Sequence, residues 1–381
     1  MTHIKSLKSM YYKAKSSFLT IIFCFISVIS FANQPSTNTI VDTTSVGSES
    51  EHAHTNAKHE ESHGEEKFNI NKTIMEHISD AHQWHLWAHT SLPLPVILYT
   101  DKGIEIFSSV HFGHGEESHI YQGNYPYQLI HEKIKVVNEQ GEVNPNIMVL
   151  DFSITKNVAS MLLAVICLII IFLSVSKSYA KRGVGAPKGL QSWIEPLIIF
   201  VRDDIAEPNL GKRTAKFMPF LLTIFFFIWF VNMLGLIPFF PGGANVTGNI
   251  AVTMVLAVIT FIITNLNGKK TYWGHIFLPH VPWWLYPLMV VLEIIGIFTK
   301  PIALMIRLFA NITAGHILVL SLVCLTFIFK SLTVGIVAAP FIVFISAIEL
   351  LVAFMQAFIF TMLAALYIGM ALEEPAPEAH H

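Results

Sequence analysis

Five ionisable residues stand inside apolar stretches in the last hundred residues: Glu293, Lys300, Arg307, His316 and Glu349. A charge in hydrocarbon costs about 3 kcal/mol on insertion scales, so such residues usually mark function. An arginine stays protonated in any protein environment. Held in a low-dielectric interior, Arg307 can keep a nearby carboxylate ionised or bar a cation from passing. Asn311 is four residues on and shares its face. His316 is nine residues on, about 900° of helical rotation, and so points the opposite way. Histidine titrates near physiological pH and suits proton relay. Glu349, in the next apolar stretch, is its candidate partner, and Gln356 lies seven residues further along the same face. Asn232 is the one strongly polar side chain in an earlier apolar run. Glu293 and Lys300, seven apart, read equally well as groups that neutralise each other and hold helices together.

The stretches that carry these groups are unusually long. Trp283 to Phe329 and Val334 to Leu372 both exceed the ~20 residues that a perpendicular span needs. Each is two spans or one steeply tilted helix, and only Lys300-Pro301 offers a clear break. Three ordinary candidates precede them: Val158 to Val175, Phe217 to Phe240 and Asn249 to Leu266, with no ionisable residue in their cores. Lys177, Lys181, Arg182 and Lys188 follow the first, and Lys269 and Lys270 follow the third. By the positive-inside rule those ends are cytoplasmic. Between the first and second, Ser192-x-x-Glu195 has the pattern of a capping box, with Trp193, Leu197, Phe200 and Val201 on one face. An amphipathic helix lying in the interface is expected there.

The first 32 residues read as a secretory signal: Lys5, Lys8, Lys13 and Lys15 precede the apolar run Phe18 to Phe31, with small residues before Asn33. An uncleaved anchor helix is the alternative. Both place the chain from Asn33 to the first span outside the cytoplasm, in agreement with the orientation set by the loop charges. Residues 33–66 are polar, acidic and His-rich, and read as a disordered tether; His52, His54, His59 and His63 offer metal ligands only as a weak second reading. Residues 67–150 read as a small external domain. A short helix is expected over Thr73 to Trp87. A hairpin is expected where Val96 to Thr100 and Ile104 to Phe107 flank Asp101-Lys102-Gly103, and another strand and turn over Lys133 to Gly141. The membrane domain runs from 151 to 372, and 373–381 form a cytoplasmic tail.

Composition agrees with this division. Of 381 residues 53% are hydrophobic and only 13% charged, with net charge −2. Mean hydropathy is +0.56. That is too little charge to cover a soluble domain, and no basic block fits nucleic acid. Cys24, Cys167 and Cys324 all lie in apolar runs, with no spacing that suggests a disulfide or a zinc site. The fold class expected is an all-α polytopic membrane protein in a bilayer: five transmembrane helices, the last two long and tilted, an interfacial amphipathic helix and a small external N-terminal domain.

The run Lys300-Pro-Ile-Ala-Leu-Met-Ile-Arg307-Leu-Phe-Ala-Asn311-Ile-Thr-Ala-Gly315-His316 resembles the signature of subunit a of the F-type ATP synthase, as does Glu349 with Gln356-Ala-Phe-Ile-Phe360. The resemblance covers residues 150 to 372. It implies a bacterial inner-membrane stator subunit with the C-terminus cytoplasmic. Its partners would be a ring of c subunits, peripheral-stalk b subunits and the remaining ATP synthase subunits. It also implies two half-channels that pass protons to and from a ring carboxylate. Arg307 matches the family's essential arginine, Asn311 its neighbouring asparagine and Gln356 the glutamine facing the arginine. Many bacterial members carry Glu at the position of His316 and His at that of Glu349; here the two are exchanged. No Walker-type phosphate loop appears, so the chain is expected to be a non-catalytic channel subunit with no cofactor or metal. The readings set against this are a sodium-coupled version of the same subunit, a His-rich metal transporter and a structural anchor.

Overall fold

The computed structural model describes residues 79–373, apart from 88–89, 114–118, 131, 139–140, 145–146, 183–187, 238–241 and 280. The signal, the tether and most of the tail lie outside the described residues. The chain divides into a β-rich part and a helical part.

Among the described residues, eight short strands come first: β1 (Gln83–Trp87), β2 (Thr90–Pro93), β3 (Pro95–Thr100), β4 (Gly103–Ser108), β5 (Tyr121–Gln122), β6 (Pro126–Ile130), β7 (Lys133–Val136) and β8 (Leu150–Asp151). They form three small antiparallel sheets in the orders β1-β2, β4-β3-β8 and β5-β6-β7. Alternation sets their inner face: Val96, Leu98 and Thr100 are buried while Pro95 and Tyr99 face out. Phe107, Phe112, Tyr127, Ile134 and Val136 complete this core, and Phe107 stacks on Tyr121 at 4.1 Å between ring centroids. The expected hairpin is present: Thr100 pairs with Gly103, whose φ of 112° suits a residue without Cβ. The helix expected over Thr73 to Trp87 is not found where it can be seen, because Gln83–Trp87 is a strand paired with Thr90–Pro93. Local preference for helix gives way here to the pairing that the neighbouring strand offers.

Among the described residues, eight α-helices follow: α1 (Lys156–Arg182), α2 (Leu190–Phe200), α3 (Glu207–Leu210), α4 (Thr214–Leu236), α5 (Ile250–Leu266), α6 (Lys270–Phe277), α7 (Tyr286–Phe329) and α8 (Leu332–Leu372). A π-helical turn, Val201–Ala206, joins α2 to α3. Among the described residues, four helical segments are long and apolar enough to cross a membrane: α1, the run Leu190–Leu236, α7 and α8. The pair α5 and α6, bent by 102°, makes a fifth if taken as one span. The expected capping box is absent: α2 starts at Leu190 beyond Gly189, no side chain caps it, and Ser192 lies inside the helix. Glu195 instead accepts a hydrogen bond from Gln191 at 3.3 Å. Trp193 does not share an inward face with Val201, being 81% exposed while Val201 is fully buried.

Helix α4 is apolar on all sides and sits at the centre, as such a helix must. Phe225, Phe226 and Trp229 pack in aromatic contacts with Phe172 of α1, Phe200 of α2 and Phe354 of α8. On α8 the buried stripe Ala353, Ala357, Phe360, Ala364 and Ile368 is mostly small, which lets neighbouring backbones come close. α7 and α8 each run unbroken through a proline, Pro301 and Pro340. Lys300-Pro301 therefore does not end the helix, as membrane helices tolerate proline where neighbours satisfy the freed carbonyl.

Candidate functional site

The site is built on α4, α7 and α8, with one turn from the loop after α4. Leu304, Leu308 and Ile312 recur every four residues on α7 and are buried. That stripe fixes the rotation of the helix, and Arg307 and Asn311 fall off it on the exposed side. Both are thus exposed and lie outside the buried stripe. His316, half-buried, lies further along α7.

Glu349 is half-buried on α8 and reaches the backbone of α7 beside His316. A Cβ at Gly315 would fall on Glu349 Oε1, with Glu349 Cγ at 3.1 Å and Cδ at 3.2 Å. Glycine is what admits the carboxylate here. One helical turn beyond Glu349, the carbonyl of Ala353 faces Asn232 Nδ2 at 3.5 Å. Asn232 is buried on α4, and its Oδ1 accepts a 2.6 Å hydrogen bond from Thr247 Oγ1. The hydroxyl can only donate to that oxygen, so the amide nitrogen is turned toward α8. Gln356, also buried, follows within the same turn of α8 as Ala353.

A second polar group lies on the other side of Arg307. Thr260, Thr264 and Asn265 of α5, Tyr272 of α6, Lys300 of α7 and Tyr367 of α8 line a small cavity. Lys300 Nζ sits 5.5 Å from the centroid of the Tyr367 ring. Tyr367 is also within electrostatic reach of Arg307. Thr264 Oγ1 is buried and makes no hydrogen bond to the described residues. Lys300 lies about 10 Å before Arg307 along the axis of α7 and His316 about 14 Å beyond it, at 1.5 Å per residue.

Asn232, His316 and Glu349 therefore fall on one side of Arg307, while Gln356, seven residues past Glu349 on the antiparallel α8, comes back to about the level of Arg307. Asn311 stays with Arg307 on the exposed face and meets none of them through a described contact. Thr247 and Gly315 escaped the functional reading of the sequence. Gly315 stood within the long motif, but only its neighbour's carboxylate shows why it is glycine. Thr247 sits in an uncharged turn, and nothing in its local pattern marks it. Among the described residues no cluster of His, Cys, Asp or Glu could hold a metal ion.

The comparisons divide the chain where its structure does. Residues 73–152 match a family described as a domain of unknown function (DUF8433). ATP synthase subunit a 2 of Chlorobaculum tepidum is 49% identical over 227 residues, 58% of this chain and 64% of that protein. The chain thus spans under two thirds of the length of that relative. ATP synthase subunit a of Myxococcus xanthus is 44% identical over 247 residues, 62% of this chain and 79% of that protein. A subunit a of Chlorobium phaeobacteroides is 40% identical over 285 residues, 71% of this chain and 82% of that protein. The family model of the ATP synthase A chain matches residues 158–369, which hold more than half of the chain and every residue of the site, and this chain belongs to that family.

Proposed function

We propose that this chain is the proton-translocating stator subunit of an F-type ATP synthase, carrying two half-channels kept apart by Arg307. The observation that carries the reading is the placement of Arg307 on α7, between the Asn232–Thr247–Glu349 group and the cavity beneath Tyr367. The cavity lies near the Lys269-Lys270 end of α5, the cytoplasmic end by the positive-inside rule. The other group then opens outward and is the inlet.

Protons enter past Asn232, His316, Glu349 and Gln356 and neutralise a carboxylate on a ring of c subunits. The neutral acid can turn into lipid without the cost of a bare charge. After nearly a full turn it meets the cytoplasmic half-channel and releases its proton. Arg307 and Asn311 are exposed on the face that a ring would cover, and a permanent positive charge there stops protons from crossing directly. The membrane potential contributes about 2.3 kcal/mol per charge per 100 mV. Helix α7 has 44 residues and α8 has 41, so each must lie steeply tilted to stay within ~30 Å of hydrocarbon. The topology is five spans with the bent pair α5–α6 counted as one, the β-rich part outside, α2 at the cytoplasmic interface and the C-terminus inside. Peripheral-stalk b subunits and the rest of the ATP synthase complete the assembly.

Arg307→Ala tests this. It should abolish ATP-driven acidification of inverted vesicles while the chain still inserts and assembles. Normal pumping by the variant would overturn the reading.

A further inference from the structure

The β-rich part is joined to the helical part at two points by one short run, residues 79–84. At one end, Asp80 caps the start of α1: its carboxylate accepts from Asn157 N at 3.0 Å and from Thr155 Oγ1 at 2.7 Å. The carbonyl of Ala81 accepts from Lys156 N at 2.8 Å. At the other end, Trp84 is 5% exposed and its indole Nε1 donates to the carbonyl of Gly242 at 3.2 Å. Gly242 opens the described part of the turn between α4 and α5. It lies so close to the end of α4 that a Cβ would fall on the carbonyl of Ile237 and within 2.6 Å of that of Leu234. Gly243, at φ 75°, then reverses the chain. Ala244 to Thr247 run buried against α4, where Thr247 meets Asn232.

We propose that Trp84 is a positioning residue for proton uptake: by pinning the Gly242 turn it holds Thr247 on Asn232, and the domain that carries it serves as a clamp on the outer mouth of the inlet. This rests on the half-channel reading above, and gives the β-rich domain a task within it. A turn with two consecutive glycines has many conformations to lose. Its inner side is fixed by α4, and its outer side by a hydrogen bond from a buried, rigid side chain. The indole N–H satisfies a carbonyl that would otherwise be buried without a partner. Freed from Trp84, the turn fluctuates, Thr247 Oγ1 leaves Asn232 Oδ1, and the amide loses the orientation that aims Nδ2 at Ala353. Asn232 is then no longer held one helical turn from Glu349. Trp84 acts through the turn.

The experiment measures proton uptake from the outer side by the membrane sector in vesicles, across pH 6 to 9, normalised to assembled complex. Trp84→Phe keeps the ring and loses the N–H, and should slow uptake several-fold. Thr247→Val keeps the shape and loses the hydroxyl, and should do the same, while Thr247→Ser retains most of the rate. The double variant Trp84→Phe/Thr247→Val should be no slower than Thr247→Val alone, since both changes break one chain of contacts. Wild-type uptake in Trp84→Phe, or losses that multiply in the double variant, would overturn the proposal. Arg307→Ala serves as the control: if it alone conducts and couples normally, the half-channel reading has failed and not the clamp.

Discussion

Glu349 and His316, the pair proposed for the inlet, sit where there is little room for error. Glu349 leans on the backbone of α7 where Gly315 has no side chain, one residue before His316. Gly315→Ala would put a methyl group where the carboxylate now lies. Glu349 must rotate away, and a catalytic group displaced by about 1 Å costs on the order of a hundredfold. ATP-driven pumping by Gly315→Ala should fall by at least about tenfold on that scale, with assembly unchanged. Fluorescence quenching in inverted vesicles reads it directly, and a wild-type rate would mean that Glu349 is not on the path. The pair itself predicts more. Removing either His316 or Glu349 takes away one group of the proposed relay, so each alanine variant should slow pumping severely. His316→Glu with Glu349→His keeps the composition of the pair and should recover part of the rate, with the order of acceptors reversed. An exchange no better than the worse single variant would show that the two are uncoupled.

Among the elements, α7 and α8 are legible as apolar runs, and their continuity is not. Pro301 is a helix breaker by local rules, yet α7 passes through it because α5 and α8 pack on either side. The same limits apply at α2, where Ser192 and Glu195 fit a capping pattern that the helix overruns by starting at Leu190. The hairpin of β3 and β4 is legible because turn chemistry and alternation are local, whereas β1 depends on a partner strand and its own residues suggest helix. Orientation is an element-scale property with its own test. Lys181, exposed near the end of α1, and Lys135, exposed on β7, lie at opposite ends of the proposed topology. A cysteine in place of Lys135 should react with an impermeant thiol reagent in intact cells, and one in place of Lys181 should be shielded. The reverse pattern would swap the two half-channels. Gly242 is a poor reporter position, since its turn has no room for a side chain.

At the scale of the whole molecule, the β-rich domain is tied together around His82. Its Nε2 lies 2.9 Å from Asp151 Oδ2, while Nδ1 lies 3.5 Å from Glu132 Oε2, an ion-pair contact rather than a hydrogen bond. Glu132 also accepts from the backbone N–H of His82 at 3.1 Å and sits at a φ of 57°, a conformation held against a steric cost. Burial opposes charging His82, but the two carboxylates outweigh it and raise its pKa to about 9. Burial likewise opposes ionising Glu132 and Asp151, and His82 outweighs it and lowers both. The His82 contribution to stability is therefore full below its unfolded value of about 6.5 and disappears as pH rises through about 9. The Glu132 and Asp151 contributions are full above the usual carboxylate range and are lost as pH falls through it. Asp80 runs the other way, because burial raises its pKa. Hydrogen exchange across residues 83–151 in the intact complex should show protection that declines as pH rises from about 6.5 to about 9, and His82→Gln should remove that decline. An unchanged profile in His82→Gln would show that the ion pairs do not hold the domain.

The sequence by itself determined that the chain is a membrane protein, which ends of the first and third spans are basic, and which few ionisable groups its long apolar runs carry. Those properties are local or additive: hydropathy sums along a segment, loop charges set orientation, and a buried arginine is conspicuous in any apolar run. Arg307, His316, Glu349 and Asn232 could be singled out on that basis. Only the tertiary structure decided that Asn232 meets α8 at Ala353, that Thr247 orients it, and that Gly315 exists for Glu349. It also decided that Trp84 reaches Gly242 across 158 residues of chain. Such contacts depend on which backbones approach closely after the helices have packed, and a small or neutral residue carries no sign in the sequence of the neighbour it will meet.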